Sequence, residues 1–263
     1  MKLKDLFRIL IWPIIFIIGQ FTIKYIFVAY YNYKNMSYYK TIFKGIDEID
    51  IVNMEFYKYN LNKFLNSQVL LIVLIIFLIF GYVFYTIYKK YKQNSRLTIK
   101  STVRIVFTAI FISAFYNTFI YLINNSVHIS DNYKINSLPI YIQILSSGIV
   151  GPILEELLFR GIIYNRLKEI KNINKSKLYT SILFSLMHLP NIVLVIYTFL
   201  LSFIMIEIYE RFKTLKASII FHITINITSI IITYVLICNN ILLNVILLII
   251  NLLFLFKTFT QKV

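Results

Sequence analysis

Two adjacent glutamates, Glu155 and Glu156, and an arginine four residues after the second, Arg160, interrupt an apolar run that extends from Leu138 to Ile163. Two histidines follow in later apolar segments, His188 at the end of one and His222 inside another, and Asn226 lies one turn beyond His222. Carboxylates and imidazoles exchange protons, and an amide donates hydrogen bonds without titrating. An acid, two imidazoles and an amide are therefore the groups of this chain that could do chemistry. Within a membrane each charged group costs roughly 2.5–3.5 kcal/mol on insertion scales. Three of them between Glu155 and Arg160 mark a functional site.

Helix geometry says which of these groups meet. Residues four apart share a face, so Glu156 faces Arg160, Phe184 faces His188, and His222 faces Asn226. Glu155 points about 100° away from Glu156, which predicts separate environments for the two acids. Depth gives an independent check. At about 1.5 Å per residue, Glu155 lies roughly 16 Å from Arg166, His188 roughly 16 Å from Lys177, and His222 roughly 9 Å from Lys216. Three helices of alternating direction thus bring an acid and two imidazoles to similar depth beneath one face.

The elements that must carry these groups are membrane helices. Hydrophobic residues make up 59% of the 263 and charged residues 14%, far from the soluble average. Apolar segments are predicted near 9–30, 68–88, 103–123, 138–163, 178–189, 191–208, 217–237 and 240–257. Several approach the ~20 residues that span a bilayer. The expectation is an all-α polytopic membrane protein of about eight transmembrane helices. It forms a single transmembrane domain over 1–263, with its polar core at about 138–237. Pro190-Asn191 divides Leu178–Ile208 into two segments, of which the first, at twelve residues, is short for a full span. The polar insert Tyr31–Gln68 reads as a structured or interfacial loop outside the bilayer.

Basic residues set the topology. Lys2, Lys4 and Arg8, then Lys89–Lys100, Arg166–Lys177, Arg211–Lys216, and finally Lys257 and Lys262 all fall on one side if eight helices alternate. Both termini are expected in the cytoplasm, in the cell membrane. The same placement accounts for the net charge of +16 without nucleic acid. One cysteine, Cys238, excludes an intramolecular disulfide and a cysteine-rich metal site. His128, beside Ser126 and Asp131, reads as a solvated loop residue, and Glu207 and Glu210 as ordinary helix-end acids.

Taken in order, E-E-L-L-F-R (Glu155–Arg160), F-S-L-M-H (Phe184–His188) and H-I-T-I-N (His222–Asn226) resemble the motifs E-E-x-x-x-R, F-x-x-x-H and H-x-x-x-N of the CPBP family. That family comprises CAAX prenyl proteases and bacteriocin-processing or immunity proteins, also called Abi proteins. The resemblance implies an intramembrane endopeptidase whose substrate is a peptide or a membrane-protein segment within the lipid bilayer. In that role Glu155 and His188 would activate a water, while Glu156, His222 and Asn226 would complete the polar site and steady the oxyanion. Arg160 would pair with Glu156, and Phe184 would pack beside His188.

The family is commonly labelled metalloprotease, and Glu155, His188 and His222 are an acceptable zinc set. The common H-E-x-x-H helix is absent, and the expectation is no tightly bound metal, with a divalent ion such as zinc as the alternative. Two rival readings are a proton-coupled transporter, since acid–histidine relays also serve carriers, and a non-catalytic immunity or partner protein on the same scaffold. The absence of paired, broken-helix halves weighs against the first, and the intact motifs against the second.

Overall fold

The computed structural model describes residues 3–93, 95–127 and 138–236. Its elements are helices, with no strand among the described residues. Among the described residues six helices are long and apolar enough to cross a bilayer, and this is an all-α polytopic membrane protein. The predicted segment 240–257, Lys257, Lys262, Cys238 and His128 lie outside the described residues.

The chain divides into two compact units at Tyr82–Val83. The first contains α1 (Leu3–Ile42), a short α2 (Glu48–Asn53) and most of α3 (Glu55–Tyr88). The predicted polar loop is therefore largely helical, because α1 continues to Ile42 and α3 begins at Glu55. Aromatic side chains interleaved with its charges make this possible. Tyr31, Tyr39, Ile51 and Tyr57 form a buried cluster between the three helices. The Tyr31 and Tyr39 hydroxyls are 2.6 Å apart, and the Tyr57 hydroxyl donates to Asn32. Lower down, Phe80 meets Phe16 edge-to-face at 5.1 Å and lies against Gly19, where a side chain would collide with its ring.

The second unit holds the ionisable groups. It contains α4 (Ile99–Val127), α5 (Ile140–Ile170), α6 (Ile173–Leu186), α7 (Ile192–Phe212) and α8 (Leu215–Leu236). α8 packs along α4 and against α5, while α6 lies along α7. The boundaries follow local chemistry. Asn172 caps α6 by accepting from the Lys175 backbone N–H at 2.9 Å, and Asn191 caps α7 by accepting from that of Leu194 at 3.0 Å. The turn before Asn191 divides α6 from α7, as the proline there predicts. Lys213 ends α7 in the left-handed conformation, at φ 51°. At 14 residues, α6 rises about 21 Å, short of a ~30 Å hydrocarbon core, and it is not among the six candidate spans.

α5 departs from a regular helix. Ile144–Val150 and Leu157–Tyr164 are wound in wider, i+5-bonded turns on either side of Gly151–Glu156. Such bulges recur at functional sites, and here they bracket the two glutamates. Gly148 lets α8 approach α5, since a β-carbon there would lie 3.0 Å from Ile227 Cγ1. Gly161 similarly receives the Tyr88 ring.

Candidate active site

Glu156 and Arg160 are the most deeply buried charges described, each 0% exposed. Four residues apart on α5, they meet as the spacing predicts, with Arg160 Nη1 donating to Glu156 Oε1 at 2.8 Å. An ion pair is kept in an apolar interior only when further hydrogen bonds share the desolvation cost. α7 supplies them: Arg160 Nη2 donates to Ser202 Oγ at 2.9 Å and to the Ser202 carbonyl at 3.3 Å. The guanidinium also lies 4.6 Å above the Phe184 ring of α6. Arg160 thus ties α5 to α6 and α7.

His222, on α8, is 3% exposed, and its Nδ1 lies 3.0 Å from Glu156 Oε1. A carboxylate held by Arg160 only accepts hydrogen bonds, so Nδ1 carries the proton of this contact. The other nitrogen, Nε2, is 3.7 Å from Glu155 Oε2. This corrects the expectation that the acids occupy separate environments. Their side chains do leave α5 in different directions, but an imidazole has nitrogens on two edges and meets both. What separates the acids is exposure, because the Glu155 side chain is 31% exposed and that of Glu156 fully enclosed.

His188 stands just beyond the last residue of α6, in the turn toward α7. Its Nδ1 lies 3.1 Å from the Phe184 carbonyl. A carbonyl accepts, so Nδ1 donates and Nε2 keeps its lone pair. Phe184 does more than pack beside His188. Its ring centroid lies 5.2 Å from that of His188, 5.8 Å from that of His222 and 5.1 Å, edge-to-face, from that of Phe159. Asn226 donates to the Ser147 carbonyl of α5 at 2.9 Å. It does not bond His222, but its second N–H is left for another acceptor.

Glu155, His188, His222 and Asn226 line one cavity of about 270 Å³. Three contributors escaped the sequence reading. Ser202 carries no charge, yet Thr198, Ser202 and Tyr209 form a buried polar stripe at helical spacing on a mostly apolar α7, which was a usable signal. Tyr116 and Tyr197 stack with ring centroids 3.6 Å apart and form part of the cavity wall. Tyrosine is abundant in this chain, with 21 residues, and nothing in the sequence distinguishes these two. Glu207 and Glu210 bond Lys177 and Lys168, the latter at 2.6 Å, joining α7 to its neighbours rather than serving the cavity.

The zinc alternative would draw on Glu155, His188 and His222, which line the same cavity. Among the described residues no three histidines, cysteines or carboxylates are grouped to hold a metal. His222 Nδ1 meets Glu156 and His188 Nδ1 meets a carbonyl, contacts that leave the Nε2 edge of each ring open.

Residues 137–228 match the family model described as type II CAAX prenyl endopeptidase Rce1-like. Over 85 residues the chain is 36% identical to YdiL of Bacillus subtilis (strain 168), a candidate membrane peptidase. That match covers 32% of this chain and 34% of the relative, about a third of each. No solved structure matches. The matched segment contains all three motifs, and Glu155, His188, His222 and Asn226 of the cavity all lie within it.

Proposed function

We propose that the protein is an intramembrane endopeptidase that hydrolyses a peptide bond of a peptide or membrane-protein substrate through a glutamate-activated water. One observation above all supports this reading: the His222 ring stands between two glutamates of unlike exposure, at a cavity that His188 and Asn226 also line. Glu155, the acid open to the cavity, takes a proton from a water that His188 Nε2 helps to orient. The water oxygen adds to the scissile carbonyl carbon, and the carbonyl oxygen becomes the oxyanion. The spare Asn226 N–H and, in its imidazolium form, His222 Nε2–H donate to that oxyanion. When the C–N bond breaks, Glu155 returns its proton to the leaving amine. Glu156 holds the ring and balances its charge, much as the buried acid of a hydrolase triad does, and Arg160 holds Glu156.

No tightly bound metal takes part in this scheme. Purified protein reconstituted with total membrane protein should generate new peptide termini and continue to do so under a strong zinc chelator. If no new termini form, the endopeptidase reading fails. If cleavage stops under chelation and returns on adding zinc, the metal-free scheme fails.

The proposed orientation places both termini and the Arg166–Lys177 segment in the cytoplasm of a cell-membrane protein. In a Cys238→Ser background, cysteines at positions 92 and 171 should resist an impermeant reagent in intact cells. Labelling at 171 would overturn the orientation.

A further inference from the structure

α5 has a second cavity on its opposite face. Ile153 and Leu157, two residues before and after Glu155, lie about 200° from it around the helix. They form part of the wall of a cavity of about 670 Å³. The last turn of α3, the segment leading into α4 and the first turn of α8 complete it.

Its chemistry is two-sided. Lys92, Arg96 and Lys216 line it, all three exposed, with no carboxylate among the lining residues. None of the three forms an ion pair among the described residues. Three other cations of this end are matched, Lys168 and Lys213 by Glu210 and Lys177 by Glu207. The inner wall is apolar, built from Ile153, Leu157 and Ile219 with the buried Tyr88 and Leu215. A free anion would engage only the cations and leave this wall uncovered. An amphiphile with an anionic head and a hydrocarbon tail would use both. The cavity also lies where three membrane helices begin or end, the level at which basic pockets between helices meet lipid headgroups.

We propose that this cavity binds an anionic phospholipid, with its phosphate among Lys92, Arg96 and Lys216 and an acyl chain against Ile153, Leu157 and Ile219. Bound there, the lipid braces α5 from behind the two glutamates without entering the catalytic cavity. The site is independent of the proposed protease chemistry.

The test is native mass spectrometry of the full-length protein in detergent, titrated with phosphatidylglycerol or with phosphatidylcholine of the same chains. Wild type should prefer phosphatidylglycerol. Each basic residue near a headgroup is worth about fivefold in affinity, so Lys92→Gln/Arg96→Gln/Lys216→Gln should lose at least about tenfold of that preference. A control, Lys89→Gln/Lys90→Gln/Lys100→Gln, removes equal charge from exposed positions outside the cavity and should keep the preference within about twofold. Excess inorganic phosphate should not displace the lipid. Equal losses in both triple variants, no loss in the cavity variant, or displacement by phosphate would each overturn the proposal.

Discussion

Glu155→Gln protein is expected to reach wild-type abundance and thermal stability while cleavage falls at least about a hundredfold, the usual contribution of a positioned general base. The amide keeps the size and shape of the side chain but cannot accept the water's proton. Stability should survive because Glu155 is partly exposed and stands 3.7 Å from its nearest ionisable neighbour, His222 Nε2. The buried Arg160 has its ion pair with Glu156 instead. Measuring abundance in membranes and cleavage of a peptide mixture in the same preparation separates the two effects. A variant that cleaves at the wild-type rate would remove Glu155 from the mechanism.

Glu156→Gln should behave in the opposite sense, with loss of stability as its first symptom. The substitution leaves Arg160 fully buried with a neutral partner, and breaking a buried pair from one side costs about 3–5 kcal/mol. Ser202 and the Phe184 ring still hold the guanidinium, but neither carries a negative charge. His222 loses its anchor at Nδ1 as well, so cleavage should fall even in the protein that remains folded. Thermal unfolding in detergent is the check. Removing both charges, in Glu156→Gln/Arg160→Gln, should recover part of the stability and none of the activity. Equal unfolding temperatures for Glu156→Gln and Glu155→Gln would show that the two acids do not divide the work as described.

That division was only partly legible in the sequence. The Glu156–Arg160 pair follows from helical spacing alone, and the matching depths of Glu155, His188 and His222 anticipated their shared cavity. Spacing along one helix could not reveal that a ring from α8 would reach both acids, because that depends on how closely α8 approaches α5 at Gly148. Asn226 illustrates the same limit. Helical register places it near His222, yet its amide is turned toward the Ser147 carbonyl across the helix interface. Ser202 was hidden for another reason, since a hydroxyl in a membrane helix usually bonds its own backbone and gives no sign of a distant cation. In the first unit, charges suggested a loop between Tyr31 and Gln68. The tyrosines among them, burying against Ile51, instead carried the helices through it.

The claim at the centre of this account is that Glu155 directs a water at a peptide bond. Hydrolysis in water enriched in oxygen-18 tests it most directly, by comparing terminal peptides released by reconstituted wild-type and Glu155→Gln protein. Wild type should yield new carboxyl termini that carry the heavy oxygen, and the variant should not yield those peptides. The same labelled peptides appearing at the same rate from Glu155→Gln protein would contradict it.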